Sequence, residues 1–163
     1  TAAQVAAALG MKLIVAGPGA TEWADGYVKY PEGSASAPGL EYVGAVDAQT
    51  RSELMGGAAV TLVPTVYAEP FGGVAVESMM CGTPVVATDF GGFVETIEQG
   101  KTGFRCRYLG EFVDAIRKSP ALDSEYIRKR AVENYSIQNV KRAYQRYFDR
   151  LTLLWNGGWN SLD

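Results

Sequence analysis

Two glutamates, Glu69 and Glu77, bracket the stretch EPFGGVAVE, with an aromatic, Phe71, and a glycine pair, Gly72 and Gly73, between them. Carboxylates accept hydrogen bonds from hydroxyls or steady a developing positive charge. Adjacent glycines let a main chain approach a phosphate closely. The stretch follows an apolar run, AAVTLVPT (58–65), and leads into VAVESMMCG (74–82), which has helical character. A helix that starts at a glycine pair offers unpaired N–H groups and a positive dipole end, a seat for an anion. The two glutamates are separated by a loop and a helical turn, so the paired-carboxylate geometry of a glycosidase does not follow. Each glutamate alone reads more readily as a surface residue than as a site residue, and the glycine pair alone reads equally as a turn. The order of strand end, Glu, aromatic, Gly–Gly, helix and Glu is what points to a site. Neither GxGxxG nor GKS/T is present.

Composition removes several chemistries. The chain has 163 residues and no histidine, which excludes a Ser–His–Asp triad and His-ligated metal centres. Its two cysteines, Cys81 and Cys106, have neither CxxC spacing nor the density of a disulfide scaffold, and point to a reducing, cytoplasmic setting. No apolar run reaches the roughly 18 residues of a membrane-spanning helix. The net charge of −3 is uneven: Asp and Glu dominate residues 1–100, and Lys and Arg dominate 101–163. The basic half is compatible with a membrane surface or with ordinary solvated helices. No nucleic-acid recognition motif accompanies it.

Positioning elements alternate. TAAQVAAALG reads as a helix stopped by Gly10, KLIVAG (12–17) as a buried strand, and EYVGAV (41–46) as a second. Residues 18–39, rich in Gly and Pro, read as a long polar loop. Asp47 is a candidate N-cap for AQTRSELMGG. TPVVATD (83–89) is a fourth strand, a short helix is expected around 93–98, and a last strand around 103–106. Helices are expected over 109–118, over 123–134 and after Ser136, where Val140, Tyr144, Tyr147, Phe148 and Leu151 recur at helical spacing. The tail GGWNSLD reads as an irregular end. This is an α/β fold with a parallel sheet flanked by helices, one domain over 1–163 with its C-terminal helices within 109–155.

The ordered run EPFGGVAVESMMCGTPVVATDFGGFVETIEQGKTGF (69–104) resembles the signature of glycosyltransferase family 4, retaining nucleotide-sugar transferases of the GT-B fold. Weaker similarity extends through LIVAGPG (13–19) and YSIQNVKRAYQRYF (135–148). The resemblance implies a Rossmann-like domain, the C-terminal half of a GT-B fold. It also implies roles: Glu77 on the ribose hydroxyls, main-chain N–H groups of Gly72, Gly73 and Val74 on the diphosphate, Phe71 beside them, Glu69 near the reacting sugar carbon, and Val43 and Gly44 along the base. The donor is a nucleotide diphosphate sugar, with no cofactor and no metal. Two family features have no counterpart: a first, central strand with its Gly-Arg…Lys loop, and the N-terminal acceptor domain. The expectation is a piece that does not transfer sugar alone, its sheet gap closed by rearrangement or by strand exchange between copies. Other readings remain open: a non-catalytic binding module that kept the fold, or an epimerase or phosphorylase of the same fold.

Overall fold

A computed structural model describes residues 1–157. Helix α1 (Ala2–Leu9) ends in a left-handed Gly10, and its buried Ala3, Val5 and Ala6 face the interior. Strands β1 (Leu13–Ala16) and β5 (Leu40–Gly44) pair in parallel, with a register shift between Val15 and Ala16. Strands β6 (Thr61–Val63), β7 (Val85–Thr88) and β8 (Gly103–Cys106) form a second parallel ladder in that order. β7 is central there and its Val85, Val86 and Ala87 are buried, as a strand covered on both faces requires.

The architecture is therefore α/β, as the alternation of elements predicts. Between the two ladders no strand pairing exists among the described residues, so the sheet is interrupted. α1 spans the interruption. Its Val5 belongs to a cluster with Val86, Cys106, Phe112 and Ile116, and its Ala3 to one with Val28, Ala37 and Leu40.

On the opposite face lie α2 (Ala48–Gly57), α3 (Gly73–Met80), the short α4 (Phe93–Thr96) and α6 (Ser124–Tyr135). Ala75, Val76 and Met79 of α3 pack with Val85, Ala87, Phe93, Ile97, Ile127 and Ala131. α5 (Leu109–Lys118) follows β8 and buries Phe112, Ala115 and Ile116. Asp123 caps α6 by accepting from the N–H groups of Glu125 and Tyr126.

One expectation is corrected. Residues 18–39 are no loop: β2 (Glu22–Ala24), β3 (Tyr27–Tyr30) and β4 (Gly33–Ser36) form an antiparallel meander. Two-residue turns, Asp25-Gly26 and Pro31-Glu32, join them, because Ala24 pairs with Tyr27 and Tyr30 with Gly33. Both dipeptides are turn formers, and the Gly/Pro content marks hairpins here rather than irregular chain. Val28 is buried under the meander, so these strands act as a lid on β1 and β5.

The helix expected after Ser136 forms as α7 (Ile137–Gly157). Its periodic stripe forms as a helix face, but Tyr144, Tyr147, Phe148 and Leu151 are exposed rather than packed. The helix leans on α6 and extends beyond the core. The expectation for the tail GGWNSLD falls almost wholly on residues outside the described range.

Part of the charge asymmetry is met inside the molecule. Glu98 accepts from Arg130 and Tyr126, which hold its carboxyl below the usual range. Asp89 faces both Arg105 and Arg107, and Arg128 donates to the Met80 carbonyl. Acidic sites of the first half thus anchor basic side chains of the second.

Burial pushes the Cys106 thiol up to about 12, with Glu111 and Asp89 adding to the effect, while Cys81 is half-buried at the end of α3. At pH 8 iodoacetamide is expected to alkylate Cys81 in the native protein and Cys106 only after denaturation. Intact and peptide mass spectrometry reads this directly, and native labelling of Cys106 would contradict the packing of β8.

Candidate functional site

The site forms where β6 ends and α3 begins. Strand carboxyl ends in open α/β sheets face helix N-termini, so a ligand there meets main-chain donors. Gly72 caps α3 with φ 82, a left-handed conformation that suits glycine. Its carbonyl starts the helix by accepting from Ala75 and Val76 N–H. Gly73 and Val74 come next, both exposed, and among the described residues their N–H groups have no acceptor.

The Gly72 N–H is engaged differently. It donates to Glu69 Oε1 at 3.1 Å, while the Tyr67 hydroxyl donates to Glu69 Oε2 at 2.7 Å. These bonds hold the Glu69 carboxyl below the usual carboxylate range: the Tyr67 hydroxyl contributes most, burial opposes it, and the Gly72 and Phe71 N–H groups add to it. The carboxylate in turn raises the Tyr67 phenol. Glu69 therefore stays ionised and fixed over the start of α3.

Gly91 and Gly92 set the height of this loop. The Gly92 N–H donates to the Glu69 carbonyl at 2.5 Å. A Cβ at Gly91 would lie 2.5 Å from the Glu69 carbonyl oxygen, and one at Gly92 only 2.8 Å from Phe71 Cα. The second glycine pair thus provides a flat floor on which EPFGG rests. Phe71 leans edge-on against Tyr135 of α6, with ring centroids 5.7 Å apart, and stays half exposed.

Glu77 lies one turn into α3, on the same outward face as Val74. Both of its carboxylate oxygens meet Arg51 of α2: Nε to Oε2 at 3.0 Å and Nη2 to Oε1 at 3.2 Å. α2 is placed for this by Asp47, whose carboxylate accepts from Thr50 N–H at 2.7 Å, and by Thr83, whose hydroxyl donates to the Met55 carbonyl. Asp47 follows the end of β5, where Gly44 accepts from Gly17 N–H at 2.8 Å. Val43 and Gly44 therefore belong to the chain that leads into α2, at the carboxyl end of the other ladder.

Glu69, Phe71, Gly72, Gly73, Val74 and Glu77 are thus gathered at one helix start, while Val43 and Gly44 lie on β5 of the other ladder, connected to it only by way of α2. Sequence reasoning overlooked Arg51 and Tyr67. Arg51 carried a signal: it is the one Lys or Arg between Lys29 and Lys101. Tyr67 carried none beyond standing two residues before Glu69.

Comparison with known proteins identifies the family. Residues 1–119 match the family model described as Glycosyl transferases group 1, and the chain belongs to that family. It is 36% identical over 102 residues to the alpha-maltose-1-phosphate synthase of Mycolicibacterium smegmatis, covering 54% of this chain and 26% of that protein. It is 48% identical over 62 residues to the D-inositol 3-phosphate glycosyltransferase of Nocardiopsis dassonvillei, covering 36% of this chain and 14% of the relative.

Among solved structures, AviGT4, a glycosyltransferase involved in avilamycin A biosynthesis, superposes with a TM-score of 0.64 at 25% identity, over 96% of this chain and 47% of its own. Anabaena Alr3699/HepE, solved in complex with UDP-glucose, gives 0.61 at 24% identity, over 68% of this chain and 32% of its own, a likeness of fold. The chain therefore spans about a quarter of the first of these relatives and under half of either structure.

The Tyr67–Glu69 bond makes a titration prediction. A carboxyl with a lowered folded value stabilises the fold above its unfolded value, and that contribution is lost as pH falls through the folded value. Tyr67→Phe should raise the Glu69 value toward the ordinary carboxylate range, as followed by carboxyl-carbon NMR. An unchanged titration would show that the Tyr67 hydroxyl does not hold this carboxylate.

Proposed function

We propose that this glycosyltransferase domain binds the nucleotide diphosphate sugar donor at the start of α3. The observation that carries the proposal is the pair of free N–H groups at Gly73 and Val74, flanked by Glu69 and Glu77 at the carboxyl end of β6. The diphosphate lies against these donors and the positive end of the helix, with the exposed Gly73, whose missing side chain would face open space, keeping the approach clear. Glu77 accepts the ribose hydroxyls. Glu69, held ionised by Tyr67, stands near the anomeric carbon, where a carboxylate stabilises the positive charge that builds as the diphosphate departs. Val43 and Gly44 line the base, and Phe71 borders the sugar side.

Support comes from the family membership and from the HepE fold neighbour, whose structure contains UDP-glucose. The proposal extends it to a hexose donor with retention of configuration and with no metal ion. Catalysis needs an acceptor-binding partner region beyond this chain, so the chain by itself is expected to bind donor without turning it over. The setting proposed is cytoplasmic. Among the described residues no helix is long and apolar enough to cross a membrane, and the basic C-terminal helices leave room for contact with a membrane surface.

Isothermal calorimetry with UDP, GDP, ADP and their glucose conjugates tests the donor site. One nucleotide should bind, and Glu77→Ala should weaken it by roughly 10- to 100-fold, the value of hydrogen bonds to a charged acceptor. Absence of binding at millimolar nucleotide would favour a module that kept the fold without the donor site. Turnover of a sugar nucleotide by the purified chain with an acceptor would remove the need for a partner region.

A further inference from the structure

Arg51 bonds Glu77 at two points, Nε to Oε2 at 3.0 Å and Nη2 to Oε1 at 3.2 Å. A fork of this kind enters a carboxylate through the edge between its two oxygens, where one lone pair of each points the same way. The two lone pairs left over diverge to opposite outer sides. Neighbouring hydroxyls on a sugar ring stand side by side, as the two guanidinium nitrogens do. A diol that donates to both oxygens of Glu77 therefore needs the edge that Arg51 fills.

The pair opens at low cost. At 43 and 44% exposure, water reaches both side chains, and an ion pair in contact with water contributes little to stability. Arg51 lies on α2, a helix that buries none of its residues. The Thr83 hydroxyl holds the far end of that helix through the Met55 carbonyl, and Asp47 caps its start. The guanidinium can swing off Glu77 without disturbing the core, since no buried residue of α2 moves with it.

We propose that the Arg51–Glu77 pair is a latch on the donor site: while it is formed it closes the diol-accepting edge of Glu77, and a nucleotide binds fully only by displacing the guanidinium from that edge. Arg51 and the ribose diol then compete for one carboxylate. The apparent affinity for a ribonucleotide is the intrinsic affinity multiplied by the fraction of molecules in which the pair is open. A phosphate-bearing ligand without a diol does not need the edge, so the latch does not act on it. The inference rests on Glu77 being the ribose acceptor.

The experiment uses the 163-residue chain with UDP, GDP and ADP, and the 2′,3′-dideoxy analogue of whichever binds best. The amide spectrum of each variant establishes its fold before titration, and NMR shift titrations give the affinities. The quantity read is the ratio of diol to dideoxy affinity, in which general charge effects on the phosphates cancel. Arg51→Ala should raise this ratio roughly threefold over the native chain, the range of an exposed ion pair. Arg51→Lys, which keeps the charge but loses the fork, should fall between the two. Salt weakens the pair, so the native ratio should climb with ionic strength while the Arg51→Ala ratio stays flat. Glu77→Ala should erase the diol preference. If Arg51→Ala leaves the ratio unchanged or lowers it while Glu77→Ala erases the preference, the latch falls and Glu77 remains the ribose acceptor. If Glu77→Ala leaves the preference intact, or if the Arg51→Ala chain shows no preference or binds none of the nucleotides, the assignment of Glu77 falls and the latch with it.

Discussion

Two main-chain segments lie closer together here than side chains permit. The turn at Gly91–Gly92 runs directly beneath Glu69–Phe71, joined by the bond from the Gly92 N–H to the Glu69 carbonyl. Everything at the start of α3 depends on this approach. It sets where the Glu69 backbone lies, and so where its carboxylate can meet Tyr67 and the Gly72 N–H. It places Gly72 above Phe93, whose fully buried ring closes the core between α3 and β7. A methyl group on either glycine would have to displace backbone, which close-packed interiors resist. The second glycine pair thus acts through packing, although it lies in the same run of residues as the pair that opens the helix.

The polar framework follows a related logic. Most backbone donors of the described strands and helices are satisfied within the protein, and two that are not stand at the exposed start of α3. Helix ends always leave such donors. What distinguishes this end is its company: a carboxylate held ionised on one side and a forked Arg–Glu pair on the other. Part of the excess positive charge of the C-terminal half is meanwhile spent on Glu98, Asp89 and a helix-end carbonyl. The acidic and basic halves are therefore joined at Asp89 and Glu98.

Much of the fold was legible in the chain. Strands β1, β5 and β7 showed as short apolar runs, and β7, buried along most of its length, is the one covered on both faces. α2 and α3 showed through Asp47 and Gly72–Gly73, residues whose backbone roles are local. The meander was not legible as a loop-or-sheet choice from composition alone. Its glycines and prolines suggest irregular chain until the two-residue spacing of Asp25-Gly26 and Pro31-Glu32 is weighed. The exposed face of α7 was illegible for another reason. Periodicity reports that a helix has an apolar face and is silent on whether anything covers it. At the site, the residues of EPFGGVAVE were visible from their order. The pairing of Arg51 with Glu77 was not, since it depends on how α2 is set down between two ladders.

α2 has no buried residue, yet it is linked at its carboxyl end to Thr83 and along its face to Glu77. A helix held by a few polar links has a local opening free energy well below that of the core. Any molecule that takes from Glu77 the edge bonded to Arg51 must then shift the docking equilibrium of α2 toward opening, and an open α2 favours that molecule by the same free energy. The helix is in this sense a reciprocal partner of the site, and its order is one of the quantities that a binding isotherm measures.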